Sequence, residues 1–541
     1  MLNASTNNLG KTILSALRAR AAETPDRTYV IDIDGRELTY RQIVALMERW
    51  ADAYQRAGVE PGDHVVTMQL NTIESLSGWL GLACIGAIEA PINTDYRGDL
   101  LAHALNITRA RTMLLLPQYL DRVLEIAAEL PHLKRIIVLN TNEIVRSAAF
   151  EVIAEKDFFE NVTGAFNGKN PEIWDIGAVL FTSGTTGPSK AVCMPWGQLY
   201  ATAMFSLPFK DLGPHDVFFN AGPTYHVGAK VFPFQAALTG GRHVMRPYVS
   251  ESQIAHEYRK FGVTTCFYPP FAWLEEPPRP DDADCALHNL LFPLPLPQMA
   301  EFKRRFGCRT YSVYSMTELS CPVADPDWDI GRINEQGLFS CGVARDGYPG
   351  YEARIVDEHD RPVPPGVVGE LILRALEPWG MNAGYLNNPE ATAEAWRNGW
   401  FHTGDAFSRD EDGYFYFRDR LKDCIRRKAE NISSFEVETV VRKHPEIVDC
   451  AAVAAKRSED PGAEEEIRLF AVLTPSPSLT PDTLVRWLIP RMPRFMIPRY
   501  VEFVEQLPRT PNLKIQKVQL RNRSMTDDVW DREKSGIELP R

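Results

Sequence analysis

Hydrophobic residues recur along this chain at two different spacings, which predict alternating helices and strands. Between residues 41 and 57 they follow three- and four-residue steps, and Gly58 comes next, where a helix commonly ends on glycine. A second apolar helix is predicted over residues 74–88. Short runs typical of buried strands lie at 64–68, 112–117 and 135–140. This alternation favours an α/β architecture in which helices cover the sheets.

The pattern changes near residue 420. A turn-rich β region precedes that point, and a small α+β pattern follows it, with helices predicted over 435–443 and 481–489 and strands over 448–456, 466–474 and 500–504. We therefore predict a large N-terminal body of several subdomains with helix-covered mixed sheets, residues 1–418. A small α+β C-terminal domain, residues 419–541, is joined to it by a hinge. The pattern leaves open whether that hinge moves.

Composition narrows the range of functions. The 541 residues carry a net charge of −12, which argues against broad nucleic-acid binding. The longest uncharged apolar run, residues 79–88, is half of the roughly 20 residues that cross a bilayer, so no membrane span is expected. The N-terminus lacks the pattern of a secretory signal, and none of the nine cysteines forms a CxxC pair. We interpret them as reduced thiols of a cytoplasmic protein.

Residues 181–190 combine glycines and hydroxyl side chains with a lysine, directly after a predicted strand at 176–181. Glycine lets backbone N–H groups approach an anion closely, and the lysine adds a positive charge. Ser189 and Ala191 flank Lys190, whereas a Walker A loop needs Gly and Ser/Thr there, so a P-loop NTPase is disfavoured. A solvated loop is the simpler alternative. The candidate phosphate-binding residues are Thr182, Ser183, Gly184, Thr185, Thr186, Gly187 and Lys190.

This loop resembles the phosphate-loop signature of the adenylate-forming superfamily, which includes acyl-CoA synthetases, peptide-synthetase adenylation domains and beetle luciferases. Further segments resemble motifs of that family in the family's order, and the resemblance runs from residue 38 to about 521. These segments are Tyr314-Ser315-Met316-Thr317-Glu318, Trp400-Phe401-His402-Thr403-Gly404-Asp405, Asp419-Arg420-Leu421-Lys422-Asp423, Glu430-Asn431-Ile432-Ser433 and Pro508-Arg509-Thr510-Pro511 leading to Lys514.

The resemblance implies an AMP-forming acid–CoA ligase. Such an enzyme uses ATP and Mg²⁺ to convert a small carboxylic acid to acyl-AMP and pyrophosphate, and then transfers the acyl group to coenzyme A, its co-substrate. Two alternatives stay open at this point. One is an adenylating enzyme that passes the acyl group to a carrier-protein thiol or an amine, and the other is a catalytically weak nucleotide-binding paralogue. A homodimer is compatible with the sequence.

By resemblance, five residues would hold the nucleotide. Glu318 would bind magnesium and Thr317 would contact phosphate, Tyr314 would stack on adenine, Asp405 would hold the ribose hydroxyls, and Arg420 would be a second nucleotide contact. Each residue type, taken singly, is more often structural. Their joint order is what favours the functional interpretation.

The C-terminal motifs imply a mobile domain. Lys514 would reach the substrate carboxylate and the α-phosphate as a catalytic residue, and Lys422 falls at the hinge position. Ala429 stands where the family usually has a glycine lining the CoA tunnel, so a methyl group there would slow thioester formation, unless slight backbone movement absorbs it. The basic run at 426–428 would either meet CoA phosphates or form a solvated face.

The acyl group would lie beside Tyr225, His226, Gly228, Val313 and Ser315, by the same resemblance. Lys230 is close enough in the sequence to reach a polar tail of the substrate, but we expect its side chain to face solvent. The stretches at 91–98 and 431–436 are similar to the crotonobetaine/carnitine-CoA ligase-like branch, which takes small or medium carboxylates. The sequence does not identify the acid.

Overall fold

We analysed a computed structural model of the chain. It describes residues 11–141, 147–164, 166, 170–182, 189–267, 269–292, 298–334, 339–346, 350–420, 424–427, 430–456, 465–508, 515, 517–526 and 529–539. No helix in these ranges is both long and apolar enough to cross a membrane.

Helices and strands are numbered here in chain order. The helices are α1 (Ile13–Glu23), α2 (Tyr40–Arg56), α3 (Ile73–Cys84), α4 (Gly98–Thr108), α5 (Leu120–Glu125), α6 (Glu155–Phe158), α7 (Trp196–Phe205), α8 (Gly228–Thr239), α9 (Glu251–Phe261), α10 (Ala272–Glu275), α11 (Gln298–Phe306), α12 (Pro389–Ala395), α13 (Ser434–Val441), α14 (Pro481–Leu488) and α15 (Lys517–Arg521). The strands are β1 (Thr28–Asp32), β2 (Glu37–Thr39), β3 (His64–Met68), β4 (Ile88–Pro91), β5 (Thr112–Leu115), β6 (Arg135–Val138), β7 (Glu151–Ala154), β8 (Ile176–Thr182), β9 (Lys190–Pro195), β10 (Val217–Asn220), β11 (Arg242–Met245), β12 (Thr265–Cys266), β13 (Asn289–Phe292), β14 (Arg309–Tyr314), β15 (Val323–Ala324), β16 (Val343–Ala344), β17 (Tyr351–Val356), β18 (Gly369–Ala375), β19 (Phe401–Arg409), β20 (Phe415–Arg420), β21 (Cys424–Arg427), β22 (Glu430–Ser433), β23 (Ile447–Lys456), β24 (Glu465–Leu473), β25 (Tyr500–Phe503) and β26 (Trp530–Asp531).

Two large mixed sheets form the N-terminal part. One has the order β7-β6-β5-β3-β4-β8-β9 and is parallel except for the β8–β9 pair. The other has the order β16-β15-β14-β13-β12-β10-β11-β1-β2. The six central strands in this order, from β14 to β1, pair in parallel, and the outer pairs are antiparallel. Parallel strands end at the same sheet edge, so the segments that follow β10 and β14 are brought together.

Smaller sheets complete the architecture. Strands β17–β20 form an antiparallel sheet, and β21 pairs with β22. The C-terminal sheet has the order β23-β24-β25-β26, with a separate apolar core that includes Ile467, Leu469 and Leu484. The predicted fold class, a mixed α/β body with a small α+β C-terminal domain, is confirmed by this arrangement.

Local sequence explains why α2 begins and ends where it does. The Thr39 side chain accepts a hydrogen bond from the backbone N–H of Gln42, and the Gln42 side chain accepts one from Thr39, which is a capping box. Gly58 follows the helix with a φ of +74°, in the left-handed region where glycine costs least. The predicted helix is therefore confirmed.

The predicted end of the second helix, residue 88, is wrong. Helix α3 stops at Cys84, and Gly86 turns with a φ of +73° before β4 begins at Ile88. The helix, the turn and β4 are largely buried, so the apolar pattern runs through all three without a break.

The C-terminal domain contacts the N-terminal part near the predicted phosphate loop. The Ser189 hydroxyl donates to the Glu436 carboxylate, and Lys443 forms an ion pair with Asp99 at the start of α4. Burial raises the pKa of Glu436 to about 7, an effect that the hydrogen bonds from Ser189 partly oppose. This carboxyl group therefore titrates near neutrality while it is held between the two parts of the chain.

Candidate active site

Two of the predicted nucleotide residues meet through a direct hydrogen bond. Tyr314 ends β14, Asp405 lies within β19, and the tyrosine hydroxyl donates to Asp405 Oδ2 at 2.7 Å. Phe407, two residues along β19, packs edge-on against the Tyr314 ring with centroids 4.9 Å apart. A carboxylate has about four acceptor positions, so Asp405 retains capacity for further O–H donors. The pair presents an aromatic ring beside an anionic acceptor.

Glu318 is a buried carboxylate held by hydroxyl groups. Its side chain is 5% exposed. Glu318 Oε1 accepts from the Tyr385 hydroxyl at 3.0 Å and from Thr182 Oγ1, at the end of β8, at 3.4 Å. The two motif segments at 182 and 318, which the sequence only places in order, are therefore in contact. Residues 183–188 of the predicted phosphate loop lie outside the described residues.

Tyr385 also connects Glu318 to Lys190. The Lys190 Nζ atom lies 4.7 Å from the centroid of the Tyr385 ring, in cation–π geometry. The Tyr385 hydroxyl has its pKa raised, first by burial and then by the negative charge of Glu318, so it remains a proton donor. One side chain thus positions both the predicted magnesium carboxylate and the predicted phosphate-loop lysine.

Side-chain amides hold the turn that carries Thr317 and Glu318 by hydrogen bonds to its backbone carbonyls. Gln198 on α7 is fully buried, and its Nε2 donates to the carbonyls of Thr317 and Leu319 at 2.9 and 3.0 Å. Asn382 Nδ2 donates to the Glu318 carbonyl at 2.8 Å. Thr317 itself is partly exposed beside them. These bonds orient the turn, so that Glu318 is not free to swing away.

Sequence reasoning missed Tyr385, Asn382 and Gln198. Tyr385 is 67 positions from Glu318, and its segment pairs with β9 through a bridge to Val192. The available signal was Gly384, which has a φ of +102°. A Cβ at that position would lie 2.9 Å from a Thr392 methyl group, so the segment there needs glycine.

Two of the predicted acyl-side residues, Gly228 and Val313, lie near an aromatic ring that the sequence did not single out. Gly228 begins α8, and a Cβ there would lie 3.8 Å from the Phe267 ring. Phe267 packs against the same apolar cluster as Val313. The Tyr225 and His226 rings are neighbours at 5.0 Å, whereas Ser315 is exposed just beyond β14.

The expectation that Lys230 faces solvent is wrong. The side chain is 5% exposed, forms an ion pair with Glu89 of β4, and lies 4.1 Å from the Trp79 ring centroid. Glu89 also accepts from the Thr67 hydroxyl at 3.0 Å. Burial lowers the pKa of Lys230, and the Glu89 charge opposes that effect. Helix α8 is buried on nearly all sides, so its lysine needs an internal counter-ion.

Several C-terminal predictions stay untested. The backbone of Arg420 pairs opposite Asp405 across β19 and β20. Lys422, Ala429 and Lys514 lie outside the described residues. Within the basic run, Arg427 is neither a solvated charge nor poised for a phosphate, because it forms an ion pair with Glu466 at 2.8 Å and donates to the Phe495 carbonyl.

The donor set suits magnesium better than zinc. The described residues contain no cluster of three or more His, Cys, Asp or Glu side chains that could hold a metal. Mg²⁺ is usually bound by one or two carboxylates together with substrate phosphates and water. Glu318, with the Thr182 hydroxyl beside it, fits that requirement.

The comparisons with known proteins cover both parts of the chain. Residues 17–386 match the family model for AMP-binding enzymes, and residues 436–514 match that for the AMP-binding enzyme C-terminal domain. The crotonobetaine/carnitine–CoA ligase of Salmonella arizonae is 30% identical over 498 residues, which cover 89% of this chain and 93% of that protein. The predicted resemblance to this family is confirmed.

Two solved structures share the fold. The o-succinylbenzoate CoA synthetase of Bacillus subtilis aligns with a TM-score of 0.77 at 21% identity, covering 95% of this chain and 99% of that one. The amide bond synthetase of Marinactinospora thermotolerans aligns with a TM-score of 0.77 at 23% identity, covering 94% and 99%. Together with the matched family models and the position of the motif residues, these findings identify the chain as a member of the AMP-binding enzyme family.

Proposed function

We propose that this protein is an AMP-forming acid–CoA ligase. It activates a carboxylic acid with ATP to give acyl-AMP and pyrophosphate, and it then transfers the acyl group to coenzyme A with release of AMP. The observation that carries the proposal is that separate motif segments are in contact: Tyr314 bonds Asp405, 91 positions away, and Glu318 bonds Thr182, 136 positions away. The named activities of the relatives support it.

The activation step joins two anions, so the site must supply positive charge and hold both reactants in place. Mg²⁺ bound at Glu318 would neutralise phosphate charge. Tyr385 holds Glu318 by its hydroxyl and Lys190 by its ring, and this sets the lysine beside the carboxylate that faces the nucleotide. Tyr314 and Asp405 offer a ring for the base and an acceptor for ribose hydroxyls.

The C-terminal domain, residues 419–541, would supply Lys514 to the carboxylate and the α-phosphate, with Arg420 as a nucleotide contact and Lys422 as the hinge. A domain that moves would first present Lys514 and then clear the path for the CoA thiol. The contacts of Glu436 with Ser189 and of Lys443 with Asp99 are what such a motion would break and remake.

A direct test measures pyrophosphate exchange into ATP with a panel of acids, including short aliphatic, aromatic and betaine-type carboxylates. We expect exchange that depends on one class of acid, and AMP release with thioester formation once CoA is added. Lys514→Ala should abolish exchange while nucleotide binding persists. Near-normal exchange in that variant would remove Lys514 from the mechanism.

An adenylating enzyme with a different acceptor is the second candidate. The observation that favours it is Ala429, at a position where the family usually has glycine. One structural neighbour is named an amide bond synthetase. If the methyl group narrows the CoA path, Ala429→Gly raises thioester turnover and leaves acyl-AMP formation constant. No rise in turnover would mean that the backbone accommodates the methyl group.

A further inference from the structure

Two cysteines lie side by side at the end of the nine-stranded sheet away from the candidate active site. Cys285 precedes β13, and Cys308 lies between α11 and β14. The candidate site is at the opposite, carboxyl end of β14, six residues from Cys308 and about 20 Å away at 3.3 Å per residue. The pair therefore has no contact with the proposed chemistry.

The two thiols share the same pair of backbone acceptors. Cys285 Sγ lies 3.5 Å from the Leu287 carbonyl oxygen and 3.9 Å from that of Phe306. Cys308 Sγ lies 3.2 Å and 3.9 Å from the same two oxygens. The two sulfur atoms therefore lie beside the same two carbonyl groups. Both cysteines are free thiols in this structure.

The two thiols differ in access and acidity. Cys308 is buried at 2% exposure, whereas Cys285 is partly exposed. The hydrogen bond from Cys308 is the largest influence that lowers the pKa of Cys285, to about 7, with the Arg259 charge contributing in the same direction. The same interaction and burial raise the pKa of Cys308. An accessible thiolate beside a protected thiol is the arrangement of an attacking and a resolving cysteine.

We propose that Cys285 and Cys308 form a peroxide-sensitive thiol pair that closes reversibly to a disulfide. The Cys285 thiolate attacks one oxygen of hydrogen peroxide, the O–O bond breaks, and hydroxide leaves to take up the proton that the thiol had released. This gives a sulfenic acid and one water. The Cys308 sulfur then attacks Cys285 Sγ, the S–O bond breaks, and the departing oxygen leaves as water with the Cys308 proton. Two thiols are oxidised and one peroxide is reduced to two waters.

The test uses the full-length wild-type protein, treated with hydrogen peroxide, digested without reductant and analysed by mass spectrometry. We expect a linked pair of peptides that contain Cys285 and Cys308, lighter by two hydrogens than their sum, which dithiothreitol separates. Finding Cys285 oxidised beyond sulfenic acid while Cys308 stays a thiol, or finding both unmodified, would overturn the proposal.

Cys193 provides a control within the same chain, because it is also partly exposed but burial raises the pKa of its thiol to about 11. Iodoacetamide at neutral pH should alkylate Cys285 at least about tenfold faster than Cys193. Equal rates would contradict the proposal. In Cys308→Ser, or in Cys308→Ala if the serine variant folds poorly, peroxide should leave a dimedone-reactive sulfenic acid at Cys285 and no linked peptide.

Discussion

Glu89 and Glu318 are both buried carboxylates in the N-terminal part of the chain, yet their surroundings differ. Glu89 lies inside β4, and the charge of Lys230 neutralises it. Its other carboxylate oxygen accepts a hydrogen bond from the Thr67 hydroxyl. Glu318 lies on a turn after β14 and accepts hydrogen bonds from the hydroxyl groups of Tyr385 and Thr182. The first carboxylate has its cation built into the fold, whereas the second accepts hydrogen bonds from hydroxyl groups at the predicted nucleotide site.

This difference separates a structural charge from a functional one more clearly than burial does, since the two side chains are 1% and 5% exposed. A buried charge that is paired inside the protein should matter chiefly for stability. A buried charge held by neutral donors at a predicted ligand site should matter chiefly for catalysis. The comparison can be tested by substitutions with opposite profiles.

The largest effect is expected for Lys230→Met, which leaves the Glu89 carboxylate buried beside an apolar side chain. Removing one member of a buried pair typically costs about 3–5 kcal/mol, and denaturant unfolding measures the loss. The double variant Lys230→Met/Glu89→Gln should recover most of it, because no charge is then buried unpaired. If the single variant loses less than about 1 kcal/mol, the ion pair is not the stabilising contact inferred here.

Glu318→Gln should show the opposite profile. We expect pyrophosphate exchange to fall by about 10²–10³-fold, the size of effect seen when one electrostatic group of an active site is removed. The free energy of unfolding should change by less than about 1 kcal/mol, because the amide oxygen still accepts from Tyr385 and Thr182.

Glu301→Gln is a matched control for Glu318→Gln. Glu301 is a partly exposed glutamate that is paired with Arg304. The control substitution should leave exchange unchanged. An unchanged exchange rate in Glu318→Gln as well would place the metal elsewhere.

Tyr385→Phe should give a smaller effect. It removes the hydroxyl that Glu318 accepts but keeps the ring under Lys190, so exchange should fall by about tenfold, as expected for one hydrogen bond to a charged group. Tyr385→Leu removes both contacts, so pyrophosphate exchange should fall further in that variant. Equal rates for the two variants would mean that the ring contributes nothing to the position of Lys190.

A pH-dependent loss of stability is expected at the contact between the two parts of the chain. The pKa of Glu436 is raised from 4.5 to about 7, so the native state binds more protons than the unfolded state between those values. Stability from this group is full below pH 4.5 and is lost as the pH rises through 7.

The loss should be about 2–3 kcal/mol, measured as the free energy of unfolding from pH 5 to 8. Glu436→Gln should make the free energy of unfolding less dependent on pH in this range. His103 also faces this contact, since its Nε2 atom lies 3.0 Å from the Ser189 carbonyl oxygen, and the variant leaves that histidine unchanged. If the free energy of unfolding depends on pH equally in the variant and the wild type, another group is responsible for the pH dependence.

Periodicity predicted the elements well where each is bounded by a local signal. Helix α2 has a capping box and a terminal glycine, and its predicted bounds agree with the structure to within about two residues, as do those of β23 and β24. Helix α3 lacks such a polar boundary. Gly86 is itself exposed, but the residues on both sides of it are buried, and the apolar pattern continues from helix to strand.

The candidate site was predictable only to the extent that its residues belong to contiguous motifs. Tyr314, Glu318 and Asp405 were predicted in this way, and the structure joins Tyr314 to Asp405 by a hydrogen bond. Tyr385 and Phe267 were missed because their roles depend on contacts between segments distant in the chain. Lys230 was misplaced for the same reason, since its partner Glu89 is 141 positions away.

The central claim is that the protein couples ATP cleavage to thioester formation through an acyl-AMP intermediate. The most direct measurement follows AMP, pyrophosphate and thioester together in one reaction that contains ATP, Mg²⁺, CoA and an acid selected by pyrophosphate exchange. The proposed mechanism predicts equal amounts of the three products, with none formed when the acid is omitted. Formation of ADP and phosphate, or acid-dependent AMP release without thioester, would contradict it.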